Sequence, residues 1–180
     1  VQHSALSLTG MGRKAVAYDL KNSKHVVLQF RNILEAVNVQ EVNNLMDAME
    51  KGCKMTVIDI RANVSAAKAS RFMQIRPGTD NALALAFLHV IIKEKLYDAD
   101  FVQKWTSGFD DLADHIEDYT PRKMSALTWV PPDLIRKAAA FYARSHPAAI
   151  QWGNPIEQNV HNFETARALV LLMAITGNLD

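Results

Sequence analysis

The densest chemistry in this sequence lies in five consecutive residues, Arg76-Pro77-Gly78-Thr79-Asp80. They close an extended run, Phe72 to Ile75, and open a long apolar helix beginning near Asn81. The first turn of a helix presents unpaired backbone N–H groups and a partial positive charge, which suits an anion or a polar ring lying against it. Pro77 presets the turn, and Gly78 lets a ligand or another backbone come close. Thr79 or Asp80 can cap the helix and keep an oxygen for other hydrogen bonds. Caps of this kind are common, so by itself the turn reads first as a capped helix start.

Two more polar groups end apolar runs. Asn32 follows His25-Val26-Val27-Leu28-Gln29-Phe30 and Arg31, and Asp59-Ile60-Arg61 ends Met55-Thr56-Val57-Ile58. An acid at the end of the second strand of a βαβ unit is where a ribose hydroxyl is read. The competing reading of Asp59 and Arg61 is a cap or a surface ion pair, worth under about 1 kcal/mol when exposed.

The elements that would position these groups follow from periodicity. Both runs are short and β-branched, the pattern of strands buried on two faces. Between them Val39, Val42, Leu45, Met46 and Met49 share one helical face, and Gly52 stands where a helix-ending glycine is wanted. Strand, helix, strand with short links predicts a right-handed crossover and a parallel sheet, whose carboxyl edge is where such folds bind ligands. Residues 63–71 predict a short polar helix or turn leading into the edge-like extended piece 72–75. The helix after Asp80 is apolar almost all round and therefore buried, with His89 inside it as a hydrogen-bonded core residue rather than a metal ligand. Helix starts at Asp98, at Thr120 before Pro121 and at Pro131-Pro132-Asp133 define a helical section over about 98–145, with Trp105, Phe109, Tyr119 and Trp129 read as its core. Ala148-Ala149-Ile150-Gln151-Trp152 is a third strand running into Gly153-Asn154-Pro155, and a last helix is predicted from about Gln158 to Ile175, with a solvated His161 in its first turns.

The chain of 180 residues, 49% apolar, is long enough for one core and has no repeat or flexible linker, so a single domain over 1–180 is expected. A net charge of +1 and a pI near 8.0, without a long basic run, give no footprint for nucleic acid. Cys53 is the only cysteine, which excludes an intramolecular disulfide or a multi-cysteine metal site, and it reads as a small core residue. No uninterrupted apolar run reaches membrane-spanning length, so no direct membrane insertion is expected. Gly10-Met11-Gly12-Arg13-Lys14-Ala15 matches a dinucleotide fingerprint only on paper, because no buried strand precedes it. The chain starts at Val1 and stops in a turn signal, which suggests a fragment of a longer protein.

Taken together, five segments in order resemble the catalytic subunits of molybdopterin oxidoreductases of the dimethyl sulfoxide reductase type, thiosulfate and polysulfide reductases in particular. They are Val26-Val27-Leu28-Gln29-Phe30-Arg31-Asn32, Asp59-Ile60-Arg61, Ile75 to Asp80, Gly153-Asn154 with Gln158, and Leu172 to Asn178. The resemblance implies an α/β, three-layer αβα Rossmann-like domain with a mostly parallel sheet and an inserted helical section. It implies one of two domains that hold the guanosine ends of two molybdopterin guanine dinucleotides carrying molybdenum or tungsten. Asp80 would then accept hydrogen bonds from the guanine edge, with Pro77, Gly78 and Thr79 shaping the pocket. Asp59 and Arg61 would lie at the ribose and guanine, and Asn32 near the diphosphate. Gly153, Asn154 and Gln158 would approach from the strand after the helical section. No catalytic residue or metal ligand is expected in the chain itself.

By the same resemblance a 4Fe-4S cluster and the metal ligand would lie upstream. The partners would be the remaining domains of the subunit and an iron–sulfur electron-transfer subunit, in a prokaryotic membrane complex of anaerobic respiration, the periplasmic face favoured. Phe30 stands where many relatives have glycine, and Ser70 where an acid is frequent, so no contact is assigned to Ser70. Two other readings compete: a free-standing nicotinamide-dependent α/β protein, and a non-catalytic interaction module in which Asn32, Asp59 and Asp80 are plain caps.

Overall fold

The computed structural model describes residues 18–35 and 38–179. The glycine motif at 10–15 lies outside them. Among the described residues four strands form one sheet: β1 (His25–Gln29), β2 (Lys54–Asp59), β3 (Arg71–Gln74) and β4 (Ala148–Trp152). Their order is β3-β2-β1-β4 and every pairing is parallel. The extended piece expected at the edge is thus a strand in its own right, and the run at 148–152 is the fourth in chain order.

Crossovers set the layers. Helix α1 (Val39–Glu50) joins β1 to β2, and the short α2 (Val64–Lys68) joins β2 to β3. Their face of the sheet buries Val26, Leu28, Met55, Val57 and Ala149 against Leu45 and Ala48 of α1. The connection from β3 to β4 carries α3 (Asp80–Lys93), α4 (Ala99–Trp105), α5 (Phe109–His115), α6 (Pro121–Thr128) and α7 (Pro132–Arg144). After β4 come the single turn α8 (Asn154–Glu157) and α9 (Asn162–Ile175). The opposite face buries Val27, Ile58, Met73, Ile150 and Trp152 against α3, α7 and α9. This is a three-layer, Rossmann-like α/β fold. Because the chain leaves β1 toward one side and reaches β4 from the other, the strand order reverses between β1 and β4, the place where open parallel sheets bind ligands.

Local signals account for the boundaries. Asn38, Asn63, Asp98 and Thr120 each accept a backbone N–H of the following turn, and Gly52, at φ 99°, ends α1 as only glycine does without strain. Helix α3 buries ten of its fourteen residues, as its all-round apolar pattern required. Within it the His89 Nδ1 lies 3.0 Å from the Ile116 carbonyl, a core histidine as expected. Cys53 is buried and its burial pushes the thiol pKa up, which leaves it inert.

Two expectations fail. Trp105 and Trp129 are 76% and 67% exposed rather than core; Trp105 ends α4 on its outer side, and Trp129 sits in a left-handed conformation at the end of α6. Phe109 and Tyr119 do pack on the core from its margin. The last helix does not start at Gln158: a four-residue link, 158–161, separates α8 from α9, and an exposed His161 stands at the N-cap.

Candidate functional site

The register aligns the carboxyl ends of the central strands, with Gln29 opposite Ile58 on one side and Trp152 on the other. Side chains alternate across the sheet, so the polar residues that follow divide into two groups.

The first group lies on the side of α3. Asp80 is the first residue of that helix, and it is 3% exposed. Its Oδ1 accepts from the Gln29 side-chain amide at 3.5 Å and its Oδ2 from the Asn159 amide at 3.1 Å. Burial raises the carboxyl pKa, and its own backbone N–H and these two amides pull it back. The expectation that Thr79 or Asp80 caps α3 is corrected. The Thr79 hydroxyl turns back to donate to the Arg76 carbonyl at 2.7 Å, no side chain caps the helix, and Asp80 points to two other elements. Gly78 takes φ 77°, and no atom lies within 4 Å of where a Cβ would stand, so the turn's shape, not a close approach, requires glycine. Pro77 is exposed and the Arg76 N–H donates to the Thr128 carbonyl, tying the turn to α6. The Arg76 guanidinium lies over the Trp129 ring, 5.5 Å from its centre.

The second group lies on the side of α1 and α2. Asp59, 8% exposed, accepts the Asn63 amide at 2.8 Å and the Arg61 backbone N–H at 3.3 Å. The Arg61 side chain is exposed and makes no ion pair with Asp59 among the described residues. Asn32 accepts from Ser65 Oγ at 2.8 Å and donates to Glu35. Ser70 binds the Met55 backbone within the fold.

Gly153 stands between the groups. Its N–H donates to the Gln29 carbonyl at 3.0 Å, and a Cβ there would lie 2.0 Å from the Phe30 carbonyl oxygen. Glycine is required by the approach of two backbones, since its φ of −101° suits any residue. Phe30 has φ 52°, a region that favours glycine, and its ring packs on the core rather than over the strand end. Asn154, Pro155 and Gln158, which follow it in the chain, are exposed.

Sequence reasoning missed Gln29, Asn159, Arg31, Glu41 and Gln151. Arg31 and Gln151 both donate to Glu41 Oε2, at 2.7 and 3.1 Å, clamping α1 to the ends of β1 and β4. A polar residue inside an apolar strand, as at Gln29 and Gln151, was the available signal. Among the described residues no group of three potential ligands could hold a metal ion, and no helix is long and apolar enough to cross a membrane.

The family model for molybdopterin oxidoreductases matches residues 4–180. The chain belongs to that family. A thiosulfate reductase molybdopterin-containing subunit of Salmonella typhimurium is 36% identical over 92% of this chain and 22% of its own length. Formate dehydrogenase H of Escherichia coli is 39% identical over 76% of the chain and 19% of its own length. Among solved structures, acetylene hydratase from Pelobacter acetylenicus superposes with a TM-score of 0.84 at 33% identity, over 89% of this chain and 22% of that one. The chain therefore spans about a fifth of the length of the molybdopterin oxidoreductases it matches. In this family segment the carboxyl edge of the sheet gathers Asn32, Asp59, Gly153 and, through its bond to Gln29, Asp80; Arg61, Asn154 and Gln158 flank it from solvent.

Proposed function

We propose that this chain holds the guanosine end of one of two molybdopterin guanine dinucleotides in a larger molybdenum or tungsten oxidoreductase subunit. The observation that carries the reading is Asp80: a buried carboxylate at a helix start, held by one amide on each oxygen, beside the point where the strand order reverses. A carboxylate accepts two parallel N–H donors, and a guanine edge offers that pair. The donor set fits the rest of a dinucleotide as well. Asn32, Asp59 and Arg61 supply amide, carboxylate and cation at the ends of β1 and β2, where a ribose and a diphosphate would meet them. Gly153 and Asn154 close the edge at β4, and Gln158 stands on the link beyond. Pro77, Gly78 and Thr79 shape the turn that delivers Asp80.

When bound, the cofactor supplies a metal centre that cycles by two electrons. This chain contributes binding and orientation: Asp80 fixes the base, the strand ends fix the sugar and phosphates, and the sheet keeps these contacts in register. Catalysis, the metal ligand and a 4Fe-4S cluster are assigned to other parts of the subunit, and electrons to an iron–sulfur partner subunit. The likeness to thiosulfate reductase favours a sulfur oxyanion or polysulfide as substrate, with the enzyme on the periplasmic side in anaerobic respiration. One domain over residues 1–180, carrying the helical section, completes the proposal.

The test is calorimetric titration of cofactor-free intact subunit with GDP. Binding of two GDP to wild type, of which Asp80→Ala loses one, supports the reading. A variant that binds as well as wild type returns Asp80 to the status of a plain structural residue.

A further inference from the structure

Asp80 faces a physical conflict. Burial at 3% exposure favours the neutral acid, yet a protonated carboxyl carries a donor on one oxygen and no longer offers both oxygens as acceptors to two parallel N–H groups. Something must hold both oxygens as acceptors. Four contributions act on the group: burial, its own backbone N–H, Gln29 and Asn159; no charged side chain from α3, α6, α7, α9 or the 158–161 link is among them. The two amides are the part that side chains supply.

Their placement is specific. Gln29 is 2% exposed and its backbone is fixed by the ladders of β1 with β2 and β4, so its amide reaches Oδ1 from the sheet. Asn159 reaches Oδ2 from the other direction, and its own Oδ1 accepts the His161 N–H at 3.3 Å, which fixes the side chain within its link. One side-chain donor on each oxygen, beside the backbone N–H of Asp80 itself, sets the plane of the carboxylate from two elements outside α3.

We propose that Gln29 and Asn159 are positioning residues for base recognition: they hold the Asp80 carboxylate in the plane, and with both oxygens accepting, that a base bearing two adjacent N–H donors requires. The proposal rests on the reading of Asp80 as the base-binding residue. Asn159 governs specificity through it. With both oxygens accepting, guanosine is preferred over inosine, which lacks the exocyclic amine; once Asn159 is lost, the preference shrinks and binding comes to depend on a carboxyl that protonates more easily.

The experiment uses the cofactor-free intact subunit, titrated with GDP and with inosine diphosphate between pH 5 and pH 8. Asn159 is half-buried, so Asn159→Ala is expected to fold, and Asn159→Asp keeps the shape while removing both N–H groups. In Asn159→Ala the GDP affinity falls roughly tenfold, the magnitude of one hydrogen bond to a charged group. The ratio of GDP to inosine diphosphate affinity falls with it, and the acid limb of GDP binding moves to higher pH. In Asn159→Asp the limb moves further in the same direction, because a second carboxylate now faces Asp80. A merely structural asparagine would weaken both nucleotides alike and leave the acid limb in place. If both variants keep the wild-type ratio and the wild-type limb while Asp80→Ala loses one of the two GDP sites, the positioning role is overturned and the base-binding role of Asp80 stands. If Asp80→Ala binds GDP as wild type does, both are overturned.

Discussion

A methyl group at Gly153 is the smallest change that should separate β1 from β4 at the site. An alanine Cβ there would lie 2.0 Å from the Phe30 carbonyl oxygen and 2.9 Å from its carbon, both backbone atoms, whereas ordinary contact begins at 3.4 Å. No rotamer relieves this, so the end of β1 or of β4 must shift. The shift breaks the hydrogen bond from the Gly153 N–H to the Gln29 carbonyl, which costs about 1 kcal/mol. Forcing atoms into a packed interior costs about 1–3 kcal/mol more. Gly153→Ala should therefore destabilise the chain by about 2–4 kcal/mol, read as a lower urea midpoint with an unchanged slope. Gly52→Ala is the control: its φ of 99° is strained for alanine, but nothing lies within 4 Å, so its loss should stay near 1 kcal/mol. Because Gln29 carries both this carbonyl and the amide on Asp80, Gly153→Ala should also weaken GDP binding. A Gly153→Ala loss no larger than that of Gly52→Ala would refute the close-approach argument.

His25 should make stability fall on acidification. It is fully buried, its Nε2 lies 2.9 Å from Thr56 Oγ1, and burial, with the Arg71 guanidinium adding to it, pushes its pKa from 6.5 down to about 4. The unfolded chain takes up the proton first, so the contribution is intact above pH 6.5 and is lost progressively toward pH 4, by roughly 3 kcal/mol. Asp80, with its raised pKa, acts with the opposite sign at the bottom of that range; His25→Gln should flatten the dependence measured by urea unfolding at each pH. Asn178 accepts the Ala148 N–H at 2.9 Å and donates to Thr176, so Asn178→Ala should cost about 1–3 kcal/mol by leaving a strand-start donor unmet. Trp105→Ala should change stability by less than about 0.5 kcal/mol, because the ring is exposed; a loss of about 3–5 kcal/mol would mean that it is core.

The parallel sheet was legible because buried strands and an amphipathic helix have distinct periods, and because Gly52, Asp98 and Thr120 mark helix ends by local chemistry. The tryptophans were not, since an exposed Trp105 and a buried one share the same spacing near helix ends. The site was legible as a set of strand ends and one turn, but not as hydrogen bonds. Asp80 looked like a cap because caps depend on neighbours three residues away, whereas its partners, Gln29 and Asn159, lie 51 and 79 residues off. The break at 158–161 was hidden because Gln158-Asn159-Val160-His161 contains neither glycine nor proline.

Whether Asp80 anchors a guanosine cofactor is decided by the guanine nucleotide released on acid hydrolysis of intact subunit purified as wild type and as Asp80→Ala. Wild type should release two guanine nucleotides per subunit, and a folded Asp80→Ala variant should release clearly fewer. Equal guanine nucleotide in the two proteins would contradict it.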